Sequence, residues 1–355
     1  MTLQDLGYHN VLEQFKIDQN LDSFEVGRVI SQHKERYIVK TPTKEFDAEL
    51  LGNLRFTAES RYDLPAVGDW VAFSEYDDNK ALIRTVYPRT SILERQAVGK
   101  KGQVQIIATN IDFGLIVQAI DRDFNVNRLE RYLTICNASK VEPIIVLSKI
   151  DLLPEFHLEN ITQQIKRRIK GVPIVTVSSQ MDKGYDTLNP IIQKGKTYCL
   201  LGSSGVGKST LLNHISGKSL MKTGHISTSV NKGRHVTSHR ELVVMENGGI
   251  LIDNPGMREV GISDLSGGLE ITFETIFEYT QNCKFKDCTH THEKGCAVLD
   301  AVENGDIDYN SYANFQKIER EKLHFESSVL EKKKKDKSFG KLVKQVKKQR
   351  KQNKY

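Results

Sequence analysis

Long apolar runs are missing from this chain. No stretch approaches the ~20 apolar residues that a membrane-crossing helix needs. The first ten residues, MTLQDLGYHN, have no basic region leading into an apolar one. Neither a secretory leader nor a membrane partner is expected, and the cytoplasm is the expected compartment. Cysteine is scarce, with five in 355 residues. The odd number argues against a disulfide framework. Three of the five crowd between Cys283 and Cys296, which points to a metal site in a reducing environment. A length of 355 residues suggests two or three domains, and 38% hydrophobic with 27% charged residues reads as a soluble globular protein. Its net charge is +6, but residues 332–355 hold twelve Lys/Arg and one Asp, a local +11 that leaves the remainder mildly acidic. A basic tail on an acidic body suggests an anionic partner such as nucleic acid.

The strongest signal is Gly202-Ser203-Ser204-Gly205-Val206-Gly207-Lys208-Ser209-Thr210. It fits G-x-x-x-x-G-K-[ST], the phosphate-cradling loop. The apolar run Thr197–Leu201 before it reads as a strand, and Thr210–Ile215 after it as the start of a helix. Backbone N–H groups of the glycine loop wrap phosphates, and the helix dipole adds positive potential. Lys208 is expected on the β- and γ-phosphates and Ser209 on Mg²⁺.

Upstream, Pro143–Leu147 reads as a buried strand that runs straight into Ser148-Lys149-Ile150-Asp151. This resembles the guanine motif [NT]-K-x-D. An aspartate there accepts from guanine N1–H and the 2-amino group, a donor pair adenine lacks, so GTP is favoured over ATP. Lys149 should lie along the base plane. Ser148 stands where Asn or Thr is usual. Ser178-Ser179 follows another short strand (172–177) and suits a loop that touches the guanine carbonyl. Phe113–Ala119 reads as a further strand and Asn127–Ser139 as a helix, which together predict a parallel sheet covered on both faces. Cys136 and Cys199 fall in apolar runs and read as core.

Downstream of the phosphate loop, residues 217–240 carry no apolar period. They include Lys232-Gly233-Arg234-His235-Val236-Thr237-Ser238. Thr237, with Ser238 as its rival, can bind Mg²⁺ and the γ-phosphate in the GTP state only. Two strands, 241–246 and 249–253, are expected around Asn247-Gly248, a hairpin signal. Asp253-Asn254-Pro255-Gly256 fits D-x-x-G, with Asp253 holding Mg²⁺ and Gly256 offering N–H to the γ-phosphate. Met257 follows, where many GTPases place a water-orienting Gln. His235 is a candidate for that task, or a plain loop residue. These motifs run in permuted order, because the guanine motif precedes the phosphate loop. An ATPase, or an RNA-binding module gated by nucleotide, are the alternative readings.

At the N-terminal end, residues 1–23 suggest a short helical lead-in. Five short strands from Glu25 to Val86, separated by turn residues, suit an OB-type barrel. Such a barrel contacts RNA or serves as a docking module. Residues 96–105 read as a linker. At the other end, Cys283-x4-Cys288-x-His290-x5-Cys296 supplies a closed tetrahedral shell for one structural Zn²⁺. His292 is the alternative nitrogen ligand. Residues 297–329 look helical. The tail 331–355 forms a basic amphipathic helix on an anionic surface or stays disordered.

Together, the barrel, the permuted order, the Gly-Arg-His-x-Thr loop and the Cys-Cys-His-Cys spacing resemble one family over residues 24–325. It is that of the bacterial small-ribosomal-subunit biogenesis GTPases of the RsgA or YjeQ type. Ser148 and Val236 depart from its usual residues. The resemblance implies an OB-fold (24–95), a circularly permuted α/β GTPase domain (96–262), a mostly helical zinc domain (263–330) and a basic tail. It implies hydrolysis of GTP to GDP, stimulated by the small subunit during late maturation with rRNA contact. A cytoplasmic monomer that uses Mg²⁺ and Zn²⁺ is expected.

Overall fold

The computed structural model describes residues 1–33, 35–96, 104–121, 124–217, 241–253, 265, 267–327, 329 and 331. After α1 (Asn10–Asp18), alternation of apolar and polar residues builds a barrel from β1 (Glu25–His33), β2 (Arg36–Lys40), β3 (Glu45–Leu50), β4 (Trp70–Asp77) and β5 (Lys80–Val86). In β3, Phe46 and Ala48 point inward while Glu45, Asp47 and Glu49 face solvent, the period of two that closes a barrel around one core. The strand order is β1-β2-β3-β5-β4, with β4 returning to β1. The short helix α2 (Gly52–Thr57) sits between β3 and β4. This is the expected five-stranded OB topology. The lead-in is not loose: Leu6 and Leu12 pack with Trp70 and Tyr87 of the barrel.

The segment read as a linker is part of a ladder. β6 (Ile92–Gln96) and β7 (Val104–Thr109) pair antiparallel, so Gln96, Val104 and Gln105 lie in strands. Gly99, Lys100, Lys101 and Gly102 hid the hairpin, because such residues carry no strand signal; residues 97–103 lie outside the described residues.

The central sheet contains β8 (Phe113–Ala119), β9 (Glu142–Ser148), β10 (Ile174–Val177), β11 (Thr197–Leu201), β12 (Glu241–Val244) and β13 (Ile250–Asp253). Its order is β10-β9-β8-β11-β13-β12; β12 alone runs antiparallel. The β12–β13 connection is longer than the sequence suggests. Gly248, at φ 83°, donates to Met245 O at 2.9 Å, and pairing stops at Val244–Ile250.

Helices α3 (Val126–Ala138) and α4 (Glu155–Arg168) bury one face of this sheet, while α5 (Tyr185–Leu188) and α6 (Lys208–Ser216) bury the other. The strands are apolar on both sides, as a sheet sandwiched by helices requires. The C-terminal helices are α7 (Gly268–Thr272), α8 (Glu274–Thr280), α9 (Ala297–Asn304) and α10 (residues 309–327). They share one continuous core with α3. No helix among the described residues is long and apolar enough to cross a membrane.

Candidate functional site

The parallel strands β9, β11 and β13 all end on one edge of the sheet, where an open α/β sheet places its ligand crevice. β11 delivers Gly202 directly. Its φ of 144° lies in the region glycine favours, and a Cβ there would stand 2.3 Å from Val117 O of β8. The loop therefore passes β8 at a distance no other residue tolerates. Gly205 and Gly207 also have positive φ, and α6 starts at Lys208. Ser204 and Gly205 are exposed while Val206 is buried. The cradle thus opens to solvent on one side and is anchored in the core on the other. Lys208 Nζ donates to Gly202 O (2.7 Å) and Ser203 O, folded over the loop at the mouth of the cradle. Ser209 and Thr210 occupy the first turn of α6.

The guanine motif meets this loop. Ser148, last in β9, donates from Oγ to Val206 O at 2.6 Å. Lys149 takes a left-handed conformation, φ 58°, which turns the chain sharply out of the strand. Its ammonium lies 3.7 Å from Asp121 after β8. Ile150 is buried and pins the 3-10 turn Ile150–Leu152, which presents Asp151. The Ser178 hydroxyl donates to Asp151 Oδ1 and accepts from Met181 N at 3.2 Å. Ser178 is fully buried and Ser179 exposed. Segments 148–151, 178–181 and 202–210 are thus joined by hydrogen bonds. Asp253 ends β13, whose residue Ile252 pairs with Cys199 of β11. His235, Thr237, Ser238, Gly256 and Met257 lie outside the described residues, as does the tail 332–355.

Three charged side chains that tie this domain together carry no motif. Arg128 of α3 donates to Ser203 Oγ at 3.2 Å. Arg28 of β1 is buried and donates to Leu6 O, Gly68 O, Asn110 O and Thr197 Oγ1. Burial lowers its pKa to about 10, so the guanidinium stays charged at neutral pH. Glu130 of α3 is buried against a bidentate Arg168, at 3.0 and 2.7 Å, and accepts from Ser311 and Asn314 of α10. Periodicity flags only the apolar face of such strands and helices; a lone buried charge leaves no pattern.

The second cluster is Cys283, Cys288, His290 and Cys296, with all four ligand atoms within 4.8 Å of one another. His290 Nδ1 lies 3.5 Å from Cys283 Sγ and 3.4 Å from Cys296 Sγ, and those two sulfurs are 4.0 Å apart. A tetrahedral zinc site with Zn–S about 2.3 Å and Zn–N about 2.0–2.1 Å has edges of roughly 3.5–3.8 Å. The donor set therefore fits one Zn²⁺. Burial lowers the His290 pKa and favours the neutral imidazole a metal needs. Desolvation, then the Cys296 and Cys283 thiols, raise that of Cys288. The alternative ligand, His292, is exposed and bonded through Nδ1 to Thr291 Oγ1 at 2.8 Å, so the nitrogen in the cluster is that of His290. Glu293 holds this loop by accepting from the backbone of Thr289, Thr291 and His292. Tyr312 of α10 donates to His290 O. Cys136 and Cys199 are core, and burial pushes the Cys199 thiol up to about 12.

Comparison with known proteins agrees with this geometry. Residues 86–263 match the family model described as RsgA GTPase. A second model, ABC transporter, spans residues 185–353; the feature in common is the phosphate-cradling loop of many nucleotide-binding proteins. The chain is 40% identical over 342 residues to small ribosomal subunit biogenesis GTPase RsgA 1 of Bacteroides thetaiotaomicron, covering 96% of this chain and 95% of that one. It is 43% identical over 317 residues to RsgA 2 of Lactiplantibacillus plantarum, covering 89% of each. Among solved structures, YjeQ from Thermotoga maritima superposes with a TM-score of 0.63 at 26% identity, over 84% of this chain and 98% of that one. YloQ, described as a circularly permuted GTPase, gives 0.62 at 26% identity, over 85% and 96%. With the guanine strand preceding the phosphate loop in sequence and meeting it in space, the chain belongs to the RsgA GTPase family and is a hydrolase of GTP.

Proposed function

We propose that this protein hydrolyses GTP in the service of small-ribosomal-subunit biogenesis, that the small subunit stimulates it, and that it contacts rRNA. The observation that carries the reading is the junction of guanine motif and phosphate loop at Ser148 Oγ–Val206 O, 2.6 Å, in a chain whose relatives are named for that role. Asp151 selects guanine, and residues Gly202 to Thr210 with Lys208 hold the phosphates. Ser209, Thr237 and Asp253 are the ligands for Mg²⁺, which neutralises charge developing on the phosphates. Gly256 offers its N–H to the γ-phosphate, and His235 orients the attacking water in place of the Gln that Met257 replaces. Cys283, Cys288, His290 and Cys296 hold one structural Zn²⁺.

The barrel and the zinc module flank the GTPase domain in sequence, and the tail of net charge +11 adds an anion-seeking segment. This charge distribution supports an RNA partner. The protein acts as a cytoplasmic monomer, with working units at 24–95, 96–262 and 263–330. The test is GTP turnover with purified small subunits, with large subunits and alone. Slow turnover alone and strong acceleration by small subunits are expected; equal rates in all three would overturn the reading.

A further inference from the structure

We infer that Ser148 leaves the imidazole edge of guanine without a side-chain donor, so that this protein recognises its base through the Watson–Crick edge alone. The inference rests on GTP as the ligand of this site. With Asp151 on N1–H and the 2-amino group, as the motif requires, the edge with O6 and N7 is left to the motif residues before Asp151 and to the phosphate loop. Both atoms on that edge are acceptors, so only a donor can read them.

Ser148 is the side chain at that corner, and a serine hydroxyl has one proton. That proton goes to Val206 O at 2.6 Å. The backbone that carries the side chain is fixed. β9 is held on both sides at this point, by Ala119 of β8 and Val177 of β10, and Ile120 N donates to Ser148 O at 3.0 Å. The side chain is buried, and its oxygen is the nearest atom to a Cβ built on Gly207, at 3.9 Å. An asparagine here carries two amide protons and can serve the loop carbonyl and N7 together. Serine preserves the tie to the loop and gives up the contact to the base. Its oxygen can still accept, so it offers no opposition to the 6-amino group of adenine. Ser148 therefore adds nothing to discrimination against adenine, which falls on Asp151 and on the loop at Ser178-Ser179.

The test is competition binding to the full-length protein with GDP, 7-deaza-GDP, IDP and ADP. 7-deaza-GDP replaces N7 by C–H and keeps the Watson–Crick edge; IDP lacks only the 2-amino group. For the wild type, 7-deaza-GDP should bind within twofold of GDP, while IDP binds at least about tenfold more weakly, the worth of a hydrogen bond to a charged group. In Ser148→Asn the penalty for 7-deaza-GDP should rise to about fivefold or more. Ser148→Ala should weaken GDP and 7-deaza-GDP together, leaving their ratio unchanged, because it removes only the tie to Val206. A wild type that already loses fivefold on 7-deaza-GDP overturns the inference, whatever the variants do. If IDP and ADP bind as well as GDP, base selection by Asp151 fails instead.

Discussion

Arg28 Nη1 donates to Thr197 Oγ1 at 2.9 Å, which ties the first strand of the barrel to the strand that ends in the phosphate cradle. The same guanidinium serves three backbone carbonyls, Leu6, Gly68 and Asn110. Arg28→Leu strands these acceptors in a buried site. The cost should be at least about 3 kcal/mol, since each of the buried acceptors that loses its partner costs roughly 1–3 kcal/mol, and Lys should not restore it, since an ammonium lacks the planar fork. Urea midpoints of the two variants against wild type provide the measurement.

Asp151 sits on a 3-10 turn with Ser178 fixed to one oxygen. Asp151→Asn replaces an acceptor pair by an acceptor and a donor. GDP affinity should fall by about a hundredfold or more, as two hydrogen bonds to a charged group are worth roughly 1.5–3 kcal/mol each. XDP, whose 2-oxo group accepts where guanine donates, should gain. Competition titrations of GDP and XDP on both proteins decide it; unchanged GDP binding would remove Asp151 from the pocket.

Glu130 is buried between Arg168 of α4 and Ser311 and Asn314 of α10. Glu130→Ala leaves Arg168 without its bidentate partner. Removing one member of such a pair costs about 3–5 kcal/mol. Because α10 meets α3 at this carboxylate and again at Arg131–Glu321, 2.8 Å, hydrogen exchange should speed up in α10 before β8 or β11. Uniform exchange across the chain would contradict this.

Gly268 opens α7 where it crosses α3, and a Cβ there would stand 2.3 Å from Thr134 O and 2.7 Å from the Ala138 Cβ. Gly268→Ala must push the two helices apart. A loss of about 1–3 kcal/mol is expected from overpacking, visible as a lower thermal midpoint, while GDP binds with unchanged affinity.

One zinc per chain should be recovered by metal analysis. Chelation, or Cys296→Ser, should loosen residues 283–296 and the Tyr312–His290 contact while nucleotide binding persists. Acid acts in the same direction. Burial holds the His290 pKa below its ordinary value, so its neutral form stabilises the fold above about pH 6.5. That contribution is lost as pH falls and the unfolded state takes up the proton. Thiolate protonation adds to it. Metal retention followed from pH 8 to 5 should decline; a flat profile would argue against these ligands.

Glycine spacing at 202–207, the Lys149–Asp151 pair and the Cys-His spacing are legible in the chain alone because each packs its chemistry into a few consecutive residues. Strands β1 to β5 and β8 to β13 are legible because alternation or apolar runs mark a sheet buried on one face or both. The β6–β7 hairpin is not, since Gly- and Lys-rich residues between its strands carry the signature of a linker. Nor are Arg28, Arg128, Glu130 and Arg168, whose partners lie far away in sequence.

By itself, then, the sequence determined which ligand chemistry this protein can perform: local spacing sets which donors and acceptors a loop presents. Tertiary structure alone decided which of these are still free to act. A hydroxyl has one proton and an imidazole one ring position to offer, and only packing shows that Ser148 has given its proton to Val206, that Ser178 holds Asp151, and that His290 rather than His292 faces the three sulfurs.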